Sequence, residues 1–305
     1  MKPYKLHFIF FNKSNVSMMK VSVVVPTYHR AEDLAELFGS LLRQTVMPFE
    51  VIIVDDTPNN TISGLCEEYK TLFKSVGSKL TYTRNLRERS LTISRNLGVK
   101  LAEGELVMFF DSDVVLYPDY IEKILEVFRK YPNALGVQGW IVNSRKDKLD
   151  RLSQILNRVF FLDHSAKDSC KFSEYPAILT KIINCEHLSG ANMTYKREVF
   201  SEFKFDESLE KYCYMEDVLF SHPVFKKYPK GLFITPYAKC IHKSSEIGRI
   251  ERKGLERLKN QHRKYVLIKL FGLKGLLLYY WQSLGIKIKL RGKTLKQFFI
   301  SHARP

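Results

Sequence analysis

The stretch Val-Ser-Val-Val-Val-Pro-Thr-Tyr-His-Arg at residues 21–30 begins with a run of valines and ends in a turn that contains a proline. A continuous apolar run of this kind is typical of a strand buried on both faces within a parallel sheet. The next residues, 31–44, place leucines and a phenylalanine at helical spacing. A buried strand that leads directly into a helix is the start of a βαβ unit, so this stretch predicts an α/β fold.

The alternation of strand and helix continues through the first half of the chain. It predicts a mostly parallel sheet flanked by helices on both faces, in which ligands bind beyond the carboxyl ends of the strands. The fourth helix is expected to stop at Tyr131-Pro132. The predicted strands are 21–25, 50–54, 79–83 and 105–110, and the predicted helices are 31–44, 63–74, 90–102 and 120–130.

The net charge of +17 is concentrated at one end of the 305-residue chain. Residues 1–225 carry 29 Lys or Arg and 29 Asp or Glu, whereas residues 226–305 carry 20 basic and 3 acidic residues. A basic tail on a neutral body indicates a surface for an anionic partner, either nucleic acid or an anionic membrane.

The five cysteines are scattered without a C-x-x-C spacing. This pattern argues against a zinc site and against a disulfide scaffold, and it fits a reducing compartment. We therefore expect a cytoplasmic protein, either free or peripheral on the cytosolic face of a membrane.

Three regions are predicted along the chain. Residues 1–19 form an N-terminal extension whose apolar run, 6–11, is either an extra strand or a loosely held segment. Residues 20–245 form one α/β domain, and residues 246–305 form a basic, amphipathic helical extension. The uncharged part of that extension, Gly275–Ile286, is shorter than the ~20 apolar residues of a spanning helix. Two alternatives stay open for it, a helix lying in the membrane interface and a helix packed on the core.

Asp111-Ser112-Asp113 is the strongest candidate for a metal site. It follows the predicted strand 105–110, so its carboxylates emerge at the ligand-binding edge of the sheet. Two carboxylates one residue apart can bind a hard divalent cation, although the tripeptide alone is often only a solvated turn. His242 could complete this metal site or contact a diphosphate, and the alternative is a surface histidine at the start of the basic tail.

Three other segments are candidates for holding a nucleotide. The turn at residues 26–30 and the carboxylates Asp55 and Asp56 end neighbouring strands, where a carboxylate could accept the imide N–H of uracil or thymine. The alternative is a proline turn beside an acidic helix cap. Arg95 in Ser94-Arg95-Asn96 could pair with a carboxylate or a diphosphate, or it could be an ordinary exposed charge. The candidate nucleotide-binding residues are Pro26, Thr27, Tyr28, Arg30, Asp55, Asp56, Arg95, Asn96, Asp111 and Ser112.

Glu216-Asp217 is the candidate for the proton-transfer group. A carboxylate at the start of a helix that faces the cleft could take the proton from an attacking hydroxyl, which is typically worth ~10²–10⁴ in rate. The alternative is a pair of acidic residues that the helix dipole favours.

Six motifs in order resemble the family-2 glycosyltransferases, which have the GT-A fold. The resemblance covers roughly residues 20–245, and it implies an inverting transfer from a nucleotide-diphosphate sugar with Mg²⁺ or Mn²⁺. The motifs are Val-Ser-Val-Val-Val-Pro-Thr-Tyr-His-Arg (21–30), Val-Ile-Ile-Val-Asp-Asp (51–56), Ser-Arg-Asn-Leu-Gly (94–98), Asp-Ser-Asp (111–113), Ser-Gly-Ala-Asn-Met (189–193) and Glu-Asp (216–217).

The resemblance also implies roles for single residues. Asp113 would be the firmest metal ligand, with Asp111 near the ribose and the metal, and Asp217 would be the catalytic base. Asp56, Pro26 and Thr27 would hold the base of the donor, while Gly190, Ala191 and Asn192 would line the donor-sugar and acceptor region.

This sequence departs from the common family pattern at three places. His29 stands where Asn is frequent, Ser189 replaces a Gly, and Cys213–Met215 replaces a Gly-rich approach to the acidic pair.

The predicted function is therefore hexosyl transfer from a UDP, GDP or dTDP sugar to a glycan or lipid-linked acceptor in cell-surface glycan or glycolipid synthesis. One alternative is a sugar-phosphate nucleotidyltransferase, but the loop after the first strand has no glycine before Gly39. The other alternative is a nucleic-acid-binding protein that uses the basic tail. That tail lacks a recognised binding motif, so we expect no nucleic acid partner.

Overall fold

The structure is a computed structural model, and it describes residues 19–143, 151–162, 165–166, 169–170, 179–248 and 251–302. The predicted strand or loose segment at residues 6–11 lies outside the described residues.

A nine-stranded mixed sheet forms the centre of the protein. Eight strands follow the spatial order β3-β2-β1-β4-β10-β6-β11-β5, and β9 pairs with β11. The large sheet consists of β1 (Val21–Thr27), β2 (Glu50–Asp55), β3 (Lys79–Arg84), β4 (Leu106–Phe109), β5 (Val114–Leu116), β6 (Gly136–Ile141), β9 (Ile183–Asn184), β10 (Met193–Lys196) and β11 (Leu232–His242), and a separate pair consists of β7 (Ser165–Ala166) and β8 (Ser169–Cys170).

The first four predicted strands are confirmed as a parallel block. β1 lies between β2 and β4, and β3 flanks β2, with all three pairings parallel. All seven residues of β1 are buried, which explains its continuous apolar sequence. The antiparallel strand β10 then joins this block to the second half of the sheet.

Helices cover both faces of the sheet, as the alternating pattern predicts. Val23 and Val25 of β1 share a core with α1, α2 and α4, whereas Val24 points to the opposite core, to which α3 and α6 contribute. The helices are α1 (Ala31–Leu41), α2 (Thr61–Ser75), α3 (Leu91–Leu101), α4 (Tyr120–Lys130), α5 (Arg151–Val159), α6 (Glu216–Lys227), α7 (Arg252–Phe271) and α8 (Leu273–His302), with a short 3₁₀ helix at Arg197–Ser201.

The basic extension is helical, and α7 packs against the body of the protein. Val266 is fully buried in a cluster with Leu209, Cys213 and Leu219. The Lys269 ammonium also lies 2.5 Å from an Asp206 carboxylate oxygen. Among the described residues, no helix has both the length and the apolar character needed to cross a membrane.

Candidate active site

The two aspartates and the histidine of the predicted metal site lie together. Strand β5, directly after Asp113, pairs antiparallel with β11, and this pairing sets His242 opposite Val114. His242 Nε2 therefore lies 3.3 Å from Asp113 Oδ1 and 3.7 Å from Asp111 Oδ2. One potential ligand atom from each of the three residues lies within 4.8 Å of the others. The two carboxylates suit Mn²⁺ or Mg²⁺ with added water or phosphate oxygens, and the imidazole favours the transition metal of the two, Mn²⁺.

Asp113 is fully buried, yet it keeps its charge. Burial disfavours the carboxylate, but the hydrogen bond and charge of His242, the nearby Arg30 and the Ser245 amide lower its pKa to about 2. Burial likewise opposes protonation of His242, whereas Asp113 and Asp111 together raise its pKa. The site therefore attracts positive charge.

Arg30 is the nearest fixed cation to this group. Its Nη1 lies 3.1 Å from Asp113 Oδ1, and its other nitrogens donate to the carbonyl oxygens of Ser245 and Ile247 at 3.1 and 2.9 Å. The Ser245 amide donates to the second Asp113 oxygen at 2.7 Å. Arg30 thus links the aspartate to the segment that follows β11.

A cavity of about 150 Å³, here called the β1 pocket, opens beside the turn after β1. Asp56 lines it, and the carboxylate oxygens of Asp56 accept hydrogen bonds from Asn85 and Ser94 at 2.6 and 2.7 Å. Burial raises the pKa of Asp56 despite these bonds. The Thr27 hydroxyl has no hydrogen-bond partner among the described residues, although it is buried. The other lining residues are Pro26, Tyr28, Arg30, Arg89, Leu91, Asp111, Ser112, Lys211, Tyr212, His242 and Gly248.

A larger cavity of about 280 Å³, here called the α6 pocket, lies at the start of α6. Asp217 lines it and accepts a hydrogen bond from the Gly190 amide at 3.0 Å. Asp111 and His242 line this pocket and the β1 pocket alike. Two of the three candidate metal ligands therefore stand at the junction of the two cavities, and the third, Asp113, is buried behind them. The α6 pocket is also lined by Arg95, Gln138, His187, Ser189, Ala191, Tyr212, Tyr214, Met215 and Glu216.

A buried ion pair between Arg95 and Glu216 supports the α6 pocket. Arg95 is 1% exposed and also donates to the Gly190 carbonyl oxygen at 2.9 Å. Burial and the neighbouring Asp217 raise the pKa of Glu216, and the Arg95 charge opposes that rise. Because a buried guanidinium keeps its proton, Glu216 and Asp111, whose Oδ1 lies 3.6 Å from Arg95 Nη2, both serve as its counter-charges. Asp217 is the third carboxylate that lines the pocket.

Gly190 is required by the close packing around this ion pair. A Cβ added there would lie 2.6 Å from Glu216 Oε1 and 2.8 Å from Arg95 Nη2. Ala191, the next residue, holds Asp111 by accepting its amide hydrogen bond.

Three of the predicted contact residues are engaged in holding the fold instead. Asp55 is fully buried and accepts hydrogen bonds from the Thr57 amide and the Tyr82 hydroxyl. Asn96 exchanges hydrogen bonds with the Phe205 backbone. Asn192 is buried and donates to Cys240 Sγ at 3.5 Å. We therefore assign Asp55, Asn96 and Asn192 to support of the fold.

Arg89 and the segment Lys211–Tyr212 line the β1 pocket, although the sequence reasoning missed them. The Arg89 guanidinium lies 3.5 Å from the ring centroid of Tyr28 and donates to the Gly248 carbonyl oxygen. A signal for Arg89 was available, since it lies between β3 and α3, at the carboxyl end of a parallel strand.

Comparison with known proteins agrees with this geometry. The sequence profile described as Glycosyl transferase family 2 matches residues 22–203. A glucosyl-dolichyl phosphate glucuronosyltransferase of Haloferax volcanii is 30% identical over 188 residues, which are 60% of this chain and 55% of that enzyme. The poly(ribitol-phosphate) β-N-acetylglucosaminyltransferase TarS of Staphylococcus aureus is 37% identical over 108 residues, covering 35% of this chain and 17% of TarS. The chain thus spans little more than half of the first relative.

Solved structures show the same fold. TarS in complex with UDP-GlcNAc superposes with a TM-score of 0.51 at 20% identity, over 82% of this chain and 67% of that one. GalNAc-T7 with UDP, GalNAc and Mn²⁺ gives a TM-score of 0.55 at 15% identity, over 74% of this chain and 44% of that one. These likenesses establish the GT-A fold that the sequence predicts.

Proposed function

The chain belongs to glycosyl transferase family 2, and on that premise we propose that it moves a sugar from a nucleotide-diphosphate donor to an acceptor hydroxyl with inversion. The observation that carries this proposal is the position of Asp111 and His242 at the junction of the two pockets. A donor whose base lies in the β1 pocket would have its diphosphate at this junction and its sugar in the α6 pocket.

The β1 pocket has the chemistry of a base-binding site. Asp56 can accept an imide N–H of uracil or thymine, and the Thr27 hydroxyl is available to the same ligand. The Tyr28 ring, held by Arg89, offers an aromatic surface beside them. The binding of UDP by GalNAc-T7 and of UDP-GlcNAc by TarS favours a uridine nucleotide among UDP, GDP and dTDP.

Asp111, Asp113 and His242 would hold Mg²⁺ or Mn²⁺. A bound divalent ion would neutralise the charge that develops on the departing nucleotide diphosphate. The low pKa of Asp113 supports this assignment, because a metal ligand has to be deprotonated at neutral pH.

Asp217 is the proposed base. It would take the proton of the acceptor hydroxyl as the acceptor oxygen attacks the anomeric carbon, while the bond from that carbon to the diphosphate oxygen breaks on the opposite face. Glu216 is paired with Arg95, and Asp111 is a proposed metal ligand, so Asp217 is the carboxylate of the α6 pocket that we assign as the base. A single base fits one inverting displacement and does not require a covalent sugar intermediate.

We further propose that the acceptor is a glycan or a lipid-linked sugar of the cell surface, and that the transferred group is a hexose. The dolichyl phosphate and poly(ribitol-phosphate) substrates in the names of the two relatives support such an acceptor. In this proposal residues 20–245 form the catalytic domain, and the extension at 246–305 holds the enzyme peripherally on the cytosolic face of a membrane.

A thermal-shift screen of UDP, GDP and dTDP sugars, with and without Mn²⁺ or Mg²⁺, tests the donor and the metal. We expect one nucleotide to raise the melting temperature only when metal is present, since a ligand that binds the folded state stabilises it through linkage. The Asp56→Ala variant should lose this response, whereas Glu67→Gln, a change on the exposed face of α2, should keep it. If no nucleotide sugar stabilises the protein under any metal condition, the proposal is wrong.

A further inference from the structure

Helix α8 leaves several of its large apolar side chains exposed while it packs against the body of the protein. The buried positions among residues 273–289 are Gly275, Gln282 and Gly285. Gln282 donates to the Phe161 carbonyl oxygen at 2.9 Å, and a Cβ at Gly285 would lie 2.3 Å from Phe160. The most buried positions of this part of α8 are therefore small or polar, and the half-buried Leu278, Tyr279 and Ile286 lie beside them. A helix that covers a core normally turns its apolar stripe inward.

The outward face of α8 carries the large apolar side chains. Exposure is 73% for Leu273, 64% for Leu277, 57% for Tyr280, 47% for Leu284 and 40% for Ile288. Their spacing of four, three, four and four residues puts them on one side of the helix. We call these five residues the α8 stripe.

Helix α5 extends this apolar surface. The Trp281 indole donates to the Val159 carbonyl oxygen at 2.8 Å, and its ring lies 4.9 Å from that of Phe160. Beside this contact Val159 is 49% exposed and Phe161 is 58% exposed. Contiguous exposed apolar surface of this kind marks an interaction site.

From this geometry we propose that the α8 stripe, with Trp281 and the end of α5, inserts into the interfacial layer of an anionic membrane. The neighbouring positive charges favour an anionic membrane as the partner. Lys274 and Lys287 are exposed beside the stripe, and residues 226–305 contain 20 basic but only 3 acidic residues. An interfacial helix that combines leucines and aromatic residues with flanking lysines binds anionic lipid through both contributions.

Self-association through the same face fits the charges less well. Two copies paired through the α8 stripe would bring two strongly basic extensions together, and like charges repel. The proposal rests on the peripheral location proposed above, but it does not depend on the transferase chemistry.

The test is co-sedimentation of the full chain with vesicles of phosphatidylcholine, with and without phosphatidylglycerol. We expect binding to the anionic vesicles, weakened by salt. The Leu277→Glu/Leu284→Glu variant should bind at least ~30-fold more weakly, because charges replace two leucines that the membrane would bury. The matched control is Leu72→Glu/Leu101→Glu, which adds the same charge at exposed leucines of α2 and α3 and should bind like the wild type.

A second variant changes only the charges and leaves the stripe intact. Lys274→Gln/Lys287→Gln should weaken binding to anionic vesicles by about fivefold for each lysine, with little effect on phosphatidylcholine vesicles. The proposal is overturned if the wild type does not bind anionic vesicles, or if the stripe variant binds as well as the control. It is also overturned if neither the wild type nor the stripe variant binds vesicles, and light scattering shows that the wild type is a dimer whereas the stripe variant is a monomer. Metal-dependent stabilisation by nucleotide sugars, measured on the same samples, distinguishes this failure from failure of the proposed function.

Discussion

Replacement of Asp113 by Asn should destabilise the metal-free protein and also remove its response to metal. Asn has nearly the shape of a protonated carboxyl, so Asp113→Asn approximates neutralisation of the buried charge. The surroundings of Asp113 lower its pKa from 3.8 to about 2. At ~1.4 kcal/mol for each pKa unit, that shift corresponds to about 2–3 kcal/mol of folding stability.

The pH dependence of this contribution has a definite sign. The folded pKa of Asp113 lies below the unfolded value, so the stabilisation is fully present above about pH 4 and is lost as the pH falls toward 2. The difference in stability between wild type and Asp113→Asn should therefore be largest near neutral pH and should vanish in strong acid.

Metal adds a second difference between the two proteins. At a free Mn²⁺ concentration 100 times its dissociation constant, the wild type should gain about 2.7 kcal/mol. The variant lacks one of three ligands and should gain almost nothing at the same concentration. Urea unfolding in EDTA and in Mn²⁺ measures both effects. Glu67→Gln, whose side chain is 75% exposed, is the control, and it should change stability by less than ~0.5 kcal/mol. The reasoning is refuted if Asp113→Asn matches the wild type in EDTA, or if Mn²⁺ stabilises both proteins equally.

Three further predictions concern the pockets and the cysteines. Asp217→Asn should lower the transfer rate by ~10²–10⁴ with little change in donor affinity. Single-turnover assays measure the rate and donor titrations measure the affinity, and a loss of donor affinity would contradict the role of Asp217 as the base. Arg30→Gln should bind Mn²⁺ more tightly than the wild type, because the change removes a cation 3.1 Å from Asp113 Oδ1. An unchanged or weaker affinity in an electron spin resonance titration would contradict the role of Arg30 as a competing cation. In a Cys170→Ser background, native protein should react slowly with a thiol reagent, because burial raises the pKa of both the Cys66 and the Cys240 thiol to about 12. Rapid labelling before unfolding would show that these cysteines are not buried.

The sequence predicted the parallel half of the sheet well because local periodicity determines it. The fourth helix was predicted at 120–130 and is found at Tyr120–Lys130. The first strand runs two residues beyond its predicted end, since Pro26 and Thr27 continue the pairing with β2. The antiparallel strands β5 and β10 were not predicted, because they are short and their pairing partners lie far away in the sequence.

Asp55 shows how local geometry can separate two neighbouring residues. Successive side chains of a strand point to opposite faces, so the alternation favours only one of Asp55, the last residue of β2, and Asp56, the residue after it, in the pocket. The period of two was available from the sequence. Which of the two carboxylates enters the pocket depends on the Tyr82 and Ser94 hydroxyls, which come from β3 and α3 and are brought there only by folding.

The departures from the common family pattern also have physical explanations. His29 has a φ of 56°, in the left-handed region where Asn is favoured over most other residues. Lys211, Cys213 and Met215 have positive φ values as well, where a glycine-rich segment would incur no steric strain. The residues present here are therefore strained in the segment that leads to Asp217.

Contacts from the basic extension stabilise that strained segment. The Tyr214 amide donates to His262 of α7 at 3.1 Å, and Cys213 is fully buried in the cluster that includes Val266. A backbone in sparsely populated φ/ψ regions persists only when the surrounding structure holds it there. Here some of the residues that hold it lie beyond residue 245. Residues on either side of the change in charge near residue 245 therefore pack together, and this packing supports Asp217. The extension, which sequence reasoning separated from the catalytic domain, contributes to the geometry of the proposed base.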